Sequence, residues 1–481
     1  MQGKPVGGPI ATEGGARSPY LIYLSLVPAA ALAFWLLYGL GRDLHAPPPQ
    51  PGAPMFEPTG AAGTPLEAFL HVLLALGAIL IAARLVGAVF KRLRQPAVMG
   101  EVVAGLLLGP SALGRVWPEA TAFLLPAQAV PALSGLAQLG VLLYMFLVGL
   151  ELNPALLRGR APVTVTVSHA SILVPFVLGV ALSLYTYPRF SSSDVPFAAF
   201  ALFGGVALSI TAFPVLARIL GDRKLQGTPL GAIALACAAV DDVTAWCLLA
   251  FVVSVAQGRP GTTALTMALA AAYIALMLLV VRPAARAWVA RLEAQQAVTR
   301  AAMTIVFLGL ILSSIATSAI GLHALFGAFL FGAILPHDSK LARQVTERLE
   351  DVVVVLLLPA FFALTGLRTE IGLVSGGSAW LCALLIFAAA CLGKFGGAFA
   401  AARLTGLPTA DAALLGALMN TRGLMELIVL NVGLDLRVLS PPLFAMFVLM
   451  AIGTTLLTTP IVDALVPRAR LARAAVDPRT G

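Results

Sequence analysis

Two adjacent carboxylates, Asp241 and Asp242, lie in the middle of an apolar run that extends from Gly231 to Ala256. One charged side chain at the centre of a membrane helix costs roughly 2.5–3.5 kcal/mol or more, so such residues usually mark an ion or proton pathway. A proton and a small monovalent cation compete for a single carboxylate, and that competition is sufficient for exchange. The pair therefore predicts ion or proton transport, in which one of the two carboxylates binds either a proton or the monovalent cation.

Three further charged residues lie deep in apolar runs: Lys394, Arg422 and Glu426. A hydrocarbon interior tolerates them only when they face one another or a water-filled cavity. Lys394 is either a structural counter-ion for the carboxylates or a proton carrier. Arg422 and Glu426 are four residues apart on one helical face, so they either neutralise each other or support the ion site.

Two apolar spans are interrupted by residues that weaken a helix. The first interruption, Ser209–Pro214, contains Thr211, and the second, Asn420–Gly423, contains Thr421. Proline removes a backbone hydrogen bond, and glycine and asparagine are poor helix formers. Carbonyl groups freed at the breaks, together with the side chains of Ser209, Thr211, Asn420 and Thr421, offer the oxygen ligands that hard cations prefer.

The composition is that of a membrane protein with many spans. The chain is 59% hydrophobic and 11% charged, with a mean hydropathy of +0.95, whereas soluble domains contain about 25% charged residues. The net charge of +9 is explained by basic loops and requires no nucleic-acid partner. The apolar runs predict fourteen spans, at 20–41, 66–90, 97–113, 128–150, 162–187, 195–217, 228–256, 261–281, 301–320, 322–336, 351–367, 376–402, 410–434 and 438–467.

These spans divide into segments that suggest an internal repeat. We predict a first helix with a Pro-rich linker (1–65), six helices (66–257), a connecting helix and loop (258–300), six more helices (301–467) and a short tail (468–481). Each interrupted span is the fifth of its six, and the single connecting helix inverts the second half relative to the first. Matching interruptions in two inverted halves point to the binding site of a transporter.

Orientation follows from the basic residues, which collect on one side of the predicted bundle. The opposite side of the main body receives only Arg115, Arg189, Arg259, Arg368 and Arg437. The positive-inside rule therefore predicts that both termini are cytoplasmic. We expect the span 20–41 to be an uncleaved signal anchor, because its apolar part is long for a signal peptide. Abundant Ala and Arg with little Lys suggest a bacterium of high genomic GC content, and hence an inner-membrane location.

Seven segments together resemble the monovalent cation:proton antiporter family, which includes bacterial sodium/proton and potassium/proton antiporters and plant cation/proton exchangers. The segments are QPAVMGEVVAGLLLGPSALG, LGVLLYMFLVGLELNP, ALSITAFPVLARIL, AAVDDVTAW, GLHALFGAFLFGAILP, LLLPAFFALTGLRTEI and LMNTRGLMELIVLNVGL. The last two are especially similar to the plant branch.

The resemblance implies a sodium/proton antiporter-like fold with two inverted six-helix repeats, crossed discontinuous helices and, in this chain, an extra amino-terminal helix. It further implies that Asp242 carries the cation or proton and that Asp241 pairs with Lys394. A homodimer surrounded by membrane lipids and an elevator-type movement of a core domain are also expected. No cofactor is expected.

Other functions remain open at this point. A cation channel also uses deep carboxylates, but the sequence has no carbonyl filter motif or ring of charges. A sodium-coupled symporter of an organic anion is the second alternative. An enzyme is disfavoured because the five histidines are scattered and form no metal-ligand or nucleophile–base cluster. The choice between sodium and potassium depends on cavity geometry, which the sequence does not give.

Overall fold

The computed structural model describes residues 18–48, 65–126, 128–151, 161–226, 228–256, 260–294 and 300–476. All regular structure in these residues is helical, and the prediction of an all-α polytopic membrane protein is confirmed. In lipid the backbone must satisfy its own hydrogen bonds, which explains why uncharged runs of this length become helices. Parts of the predicted segments 1–65, 258–300 and 468–481 lie outside the described residues.

The helices of the described residues are numbered in chain order. They are α1 (Pro19–Gly41), α2 (Pro65–Arg92), α3 (Ala97–Leu108), α4 (Leu113–Val116), α5 (Pro118–Leu124), α6 (Val130–Glu151), α7 (Ala161–Phe190), α8 (Phe197–Ser209), α9 (Phe213–Asp222), α10 (Pro229–Ala256), α11 (Pro260–Leu276), α12 (Arg282–Ala294), α13 (Arg300–Ile320), α14 (Ala324–Ile334), α15 (Lys340–Asp351), α16 (Leu358–Leu367), α17 (Gly376–Leu404), α18 (Thr409–Met419), α19 (Leu424–Asp435) and α20 (Pro441–Val476). Two π-helical turns, Met277–Val281 and Val352–Leu357, join α11 to α12 and α15 to α16, and a 3₁₀ turn at Ile371–Leu373 follows α16.

Within the described residues, twelve helical stretches are long and apolar enough to cross a bilayer. The bent pair α18 and α19, with 41° between the two halves, makes a thirteenth. α14 is equally apolar but has 11 residues, which extend about 16 Å against a hydrocarbon thickness of about 30 Å. Together these elements occupy the fourteen predicted spans.

Several predicted span boundaries differ from the observed helix ends. The helical stretch predicted to start at residue 351 begins at Lys340, the one predicted to end at 281 continues to Ala294, and α20 continues past 467 to Val476. Once a helix is nucleated, each added residue gains a hydrogen bond, so charged turns extend the helices beyond their apolar parts. Hydropathy therefore marks the bilayer-spanning part of a helix and not its end.

The long helices pack into two sets. The core set comprises α7, α8, α9, α10, α17, α18, α19 and α20, and the scaffold set comprises α2, α3, α6, α13, α14, α15 and α16. Helices pack extensively within each set, whereas contacts between the sets are sparser and include α3 with α20 and α16 with α19. The linking helix α11 touches α10 of the core set and α13 of the scaffold set, and α12 touches α15 of the scaffold set.

The neighbour relations repeat between the halves, as two six-helix repeats require. In the core set, α8 and α10 pack on α7 as α18 and α20 pack on α17. In the scaffold set, α3 packs on α16 as α14 packs on α6.

Reciprocal glycines form both of these scaffold joints. A Cβ on Gly105 of α3 would lie 2.1 Å from the carbonyl oxygen of Ala363, and one on Gly366 of α16 would lie 2.3 Å from that of Val102. In the α6–α14 joint, a Cβ on Gly149 or on Gly332 would lie 2.2 Å from a carbonyl oxygen of the facing helix. Small residues let membrane helices approach closely, so these joints hold the scaffold helices together without side chains.

The extra amino-terminal helix α1 belongs with the core set. It packs along α7 and also touches α8 and α17. The Thr166 hydroxyl of α7 donates a hydrogen bond to the carbonyl of Pro19 (3.1 Å), and the rings of Tyr23 and His169 meet edge to face at 5.2 Å.

Candidate functional site

The two interrupted helices cross at their breaks, inside the core set. α8 ends at Ser209 and α9 begins at Phe213, while α18 ends at Met419 and α19 begins at Leu424. The backbone N–H of Ala212 donates to the carbonyl of Thr421 at 3.0 Å, which ties the two breaks directly to each other. This contact is the crossing that the fold class predicts.

Local sequence explains the first break. Pro214 has no N–H, and in a continuous helix its ring would collide with the carbonyl four residues earlier, that of Ile210. In the structure Pro214 lies in the first turn of α9, where a missing N–H has no consequence. The residues between the half-helices are extended, and their side chains are buried.

Asp241 lies on α10 beside the first break and has a complete set of partners. Its Oδ2 accepts hydrogen bonds from Thr211 Oγ1 (2.6 Å) and Ser171 Oγ (3.1 Å), and its Oδ1 accepts one from Ser168 Oγ. Lys394 Nζ of α17 lies 3.1 Å from the same Oδ2, and both side chains are fully buried. The negative charge of Asp241 is therefore compensated inside the protein.

Lys394 is held by the same network. Its ammonium group donates to Thr211 Oγ1 at 2.6 Å as well as to Asp241. Thr211 thus accepts from the lysine and donates to the aspartate, and its hydroxyl also lies 3.3 Å from the carbonyl of Met419 in the second break. One threonine in the first break connects the ion pair to both interrupted helices.

Asp242 contrasts with its neighbour. The residue is only 2% exposed, yet its Oδ1 has no hydrogen-bond partner among the described residues. Successive side chains on a helix point about 100° apart, so Asp242 cannot share the direction of Asp241. Asp242 is therefore a buried carboxyl group whose Oδ1 has unused hydrogen-bonding capacity.

Arg422 fills a gap left by the first break. Its guanidinium donates to the carbonyls of Ala207 (3.0 Å) and Leu208 (2.6 Å), which are two of the carbonyls at the end of α8 that have no helical partner. It also pairs with Glu426 in the first turn of α19 at 2.8 Å, and both side chains are fully buried. Because a helix carboxyl end carries partial negative charge, Arg422 stabilises the break electrostatically as well as by hydrogen bonds.

The remaining predicted ligands divide into occupied and unoccupied groups. The Ser209 hydroxyl lies within hydrogen-bond distance of two acceptors, the carbonyls of Gly205 (2.7 Å) and Ile172 (2.9 Å), and the Thr421 hydroxyl donates to the carbonyl of Leu418. Asn420 Nδ2 contacts the sulfur of Cys391 at 3.7 Å, whereas Asn420 Oδ1 is buried without a partner among the described residues. Of the polar side chains in the breaks, Asn420 has the oxygen that is free to bind an ion.

Sequence reasoning missed three residues of this network: Ser168 and Ser171 of α7, and Thr455 of α20. The Thr455 hydroxyl accepts from the backbone N–H of Arg422 (3.0 Å) and donates to its carbonyl (2.8 Å). The sequence does contain a pattern that could have identified the two serines. Thr164, Ser168 and Ser171 follow one another at spacings of four and three residues, which places three hydroxyls on one face of an apolar helix.

Comparison with known proteins gives the family. A family model described as "Sodium/hydrogen exchanger, transmembrane" matches residues 78–466, which is more than half of the chain. This chain belongs to the sodium/hydrogen exchanger family. The match includes both breaks, both aspartates and Lys394.

Individual relatives agree with this membership. The chain is 44% identical over 387 residues to the Na(+)/H(+) antiporter NhaS4 of Synechocystis sp., a match that covers 80% of this chain and 94% of that protein. It is 40% identical over 420 residues to cation/H(+) antiporter 20 of Arabidopsis thaliana, covering 84% of this chain and 50% of that protein. It is 32% identical over 400 residues to K(+)/H(+) antiporter 1 of Saccharomyces cerevisiae, covering 81% and 46%. The chain thus spans about half the length of the plant and yeast relatives.

The fold is also similar to that of a solved exchanger. The sodium proton antiporter MjNhaP1 from Methanocaldococcus jannaschii aligns with a TM-score of 0.59 at 14% sequence identity, over 83% of this chain and 97% of that one. At this identity the likeness establishes the fold alone, and it confirms the sodium/proton antiporter-like fold class.

Proposed function

We propose that this chain exchanges a monovalent cation for protons across the membrane, with Asp242 as the carboxylate that both ions share. The observation that carries the proposal is the unpartnered Oδ1 of Asp242, buried beside a second aspartate that already has its counter-ion. A buried carboxyl group without a partner is stable only when it is neutral or when it binds a cation.

The two aspartates have different roles in this proposal. Asp241, Lys394 and Thr211 form a neutral network that positions α10 against the crossed breaks. Asp242 is left to bind either a proton or a cation, and each ion excludes the other. Asn420 Oδ1 and carbonyl groups of the breaks would supply additional oxygen ligands, and such ligands suit a hard monovalent cation.

Movement of the core set against the scaffold set would give Asp242 access to each side of the membrane in turn. Two features support this elevator-type mechanism. Each set is tightly packed within itself, with reciprocal glycines in the scaffold joints, and the contacts between the sets are sparser. In the proposed cycle the core set moves when Asp242 is neutralised by either ion and is held back when the carboxylate is bare, because a bare charge is costly to move past apolar surface.

The assembly and location belong to the same proposal. We place the chain in the inner membrane of a bacterium, as a homodimer with both termini cytoplasmic. The scaffold set would provide the dimer contact, which leaves the core set free to move. The named relatives exchange sodium, potassium or an unspecified cation, so both sodium and potassium are candidate substrates.

Transport in liposomes tests the proposal. The purified protein is reconstituted with a pH dye in an acidified lumen, and sodium or potassium is added outside. We expect cation-dependent alkalinisation of the lumen by the wild type and its loss to the background rate in Asp242→Asn. Asp351→Asn is the matched control, since this exposed aspartate ends α15 outside the core set.

The ion that produces the larger response identifies the preferred substrate. Equal exchange by the wild type and Asp242→Asn, with both proteins correctly inserted, would exclude Asp242 as the shared carboxylate. No response of the wild type to either cation at several pH values would exclude exchange itself.

A further inference from the structure

A cavity of about 380 Å³ lies where the scaffold set meets the core set. None of the residues that line it belongs to the crossed breaks or to the aspartate pair. One wall is the corner between α2 and α3, residues 91–97. The opposite wall comes from the end of α9 and from α20. Any molecule bound in this cavity would contact both helix sets at once.

The cavity wall is rich in positive charge. Lys91, Arg94, Arg218 and Arg223 line it, together with two carboxylates. One of these, Asp463, is bound by Arg223 through contacts of 2.6 and 3.1 Å, so this pair is neutral on its own. Three cationic side chains then face a single further aspartate.

The other acidic groups do not reverse this balance. Asp222 is the second carboxylate of the wall. Glu101, one turn further along α3, interacts electrostatically with Arg84, Arg218 and Lys91. Its negative charge is accompanied by the positive charge of Arg84, which does not line the cavity. The site therefore favours an anion.

The backbone adds to this preference. α3 begins at Ala97 in the cavity wall, its N-cap is Pro96 without a capping side chain, and its first turn contains no acidic residue. The free N–H groups of a helix amino terminus bind anions, and the helix dipole favours negative charge there. The amino terminus of α3 therefore lies in the wall of the same cavity that Lys91, Arg94 and Arg218 line.

Two buried polar atoms in the wall lack partners among the described residues. Thr459 is 2% exposed, and its hydroxyl Oγ1 makes no hydrogen bond. Gln95 donates its amide N–H to the carbonyl of Leu456 at 3.2 Å, which leaves its Oε1 free. The hydroxyl can donate to an anion, whereas the amide oxygen can accept only from a protonated ligand oxygen. A phosphate group with one protonated oxygen satisfies both.

Arg94 lies at the turn between α2 and α3. It follows the last residue of α2 by two positions and adopts the left-handed region, at φ 57°, where the N–H of Gln95 donates to the carbonyl of Phe90 at 2.8 Å. Glycine is the usual residue at this position of a helix end, because other residues adopt it at a cost. Glycine in place of Arg94 would therefore remove the side chain from the cavity wall without straining the backbone.

We propose that this cavity is a binding site for a phosphate group, held by Arg94, Lys91 and Arg218, the amino terminus of α3 and the hydroxyl of Thr459. Because the ligand would connect the corner of the scaffold set to α9 and α20, it would stabilise one arrangement of the two sets. Free phosphate and the headgroup of an acidic phospholipid share this chemistry, and the positive-inside orientation makes both accessible.

Two arms of a binding experiment separate these sources. In the first, calorimetry of the purified protein in uncharged detergent measures binding of inorganic phosphate, with chloride at matched ionic strength as the reference. In the second, the melting temperature is compared in nanodiscs of phosphatidylcholine alone and with phosphatidic acid added. Neither readout depends on ion exchange.

Arg94→Gly is the decisive variant. Glycine adopts φ 57° freely, so the fold and the intrinsic melting temperature are expected to be maintained while phosphate binding weakens at least tenfold. Thr459→Val, which has nearly the same shape, should weaken binding several-fold. Arg437→Gly is the matched control, because Arg437 has the same left-handed conformation (φ 58°) after α19 but does not line the cavity.

Phosphate binding in the first arm, lost in Arg94→Gly and kept in Arg437→Gly, would establish a site for soluble phosphate. Stabilisation only by phosphatidic acid, with the same dependence on Arg94, would establish a lipid headgroup site. Absence of binding in both arms overturns the proposal, as does an Arg94→Gly protein that binds as the wild type does.

Discussion

The sixth helices of the two repeats, α10 and α20, have equivalent neighbours but different chemistry. α10 carries Asp241 and Asp242 in its middle, whereas α20 carries threonines at about the same distance from its start, including Thr454 and Thr455. Each helix contacts the break of its own half through one side chain: Asp241 receives the Thr211 hydroxyl, and Thr455 binds the backbone of Arg422. The contact between the sixth helix and the break is therefore present in both repeats, but it is made by a charged carboxylate in the first and by a neutral hydroxyl in the second.

This difference separates what the fold needs from what transport needs. Packing of the two halves depends on small and apolar residues, and both halves have them in equivalent joints. Charge compensation differs between the breaks. The first has the Asp241–Lys394 pair, which joins two helices, whereas at the second Arg422 pairs with Glu426 and also caps the end of α8. Because buried charge is costly, an asymmetric arrangement in a symmetric fold indicates where function acts.

The largest effect is expected when the ion pair of the first half is broken. Asp241→Asn leaves Lys394 buried without its counter-ion, and breaking such a pair costs about 3–5 kcal/mol of stability. The melting temperature of the purified protein in detergent measures this loss. In contrast, Asp242→Asn should melt at or above the wild-type temperature, since its Oδ1 has no partner to lose.

A double variant sharpens this test. Asp241→Asn with Lys394→Met removes both charges, and an apolar replacement of a buried pair is often neutral. We expect it to recover most of the stability that Asp241→Asn loses. Equal melting temperatures for Asp241→Asn and Asp242→Asn would contradict the contrast between the two aspartates.

The next effect concerns the cap of the broken helix. Arg422→Met leaves the carbonyls of Ala207 and Leu208 and the carboxylate of Glu426 unpaired, and we expect a loss of about 3 kcal/mol. Arg422→Lys should restore only part of it, because one ammonium group cannot reproduce the planar fork that spans three acceptors. Thermal unfolding compares the two variants, and full rescue by lysine would refute this role of Arg422.

The scaffold joints test whether the halves are equivalent in packing. Gly105→Ala and Gly332→Ala each place a Cβ against a backbone carbonyl, and both should lose about 2–3 kcal/mol because the helices must separate. Gly135→Ala in α6 is the control: a Cβ there meets no atom within 4 Å, so helix propensity alone applies and stability is maintained or increased. Clearly unequal losses in Gly105→Ala and Gly332→Ala would show that the two joints are not equivalent.

The smallest effect is expected at the neutral contact of the second half. Thr455→Val leaves the N–H of Arg422 without its acceptor, at a cost of about 1–2 kcal/mol. Thr454→Val is the control, since the Thr454 hydroxyl donates only to Ala451 in its own helix, and little change is expected. The two melting temperatures, measured side by side, decide whether the hydroxyl of Thr455 is specific.

Much of the architecture could be predicted from the sequence because bilayer spanning leaves few alternatives. The deep charges and the two interruptions stood out against an apolar background, and the structure brings Asp241, Lys394 and Thr211 together. Ser168 and Ser171 were missed because single hydroxyls in a membrane helix are common, and only their helical spacing distinguishes them. Hydroxyl orientation was not predictable either: Ser209 and Thr421 bond to carbonyls of their own half-helices, a local alternative that competes with any ligand.

The position of α1 has a consequence for the membrane around the protein. This helix lies against α7, α8 and α17, all in the core set, so in the proposed cycle it would travel with the moving part. The moving body then displaces a wider ring of lipid at each step, and friction against the bilayer grows with that circumference. Turnover should consequently depend on bilayer viscosity, and more steeply than in a relative whose moving part lacks such a helix.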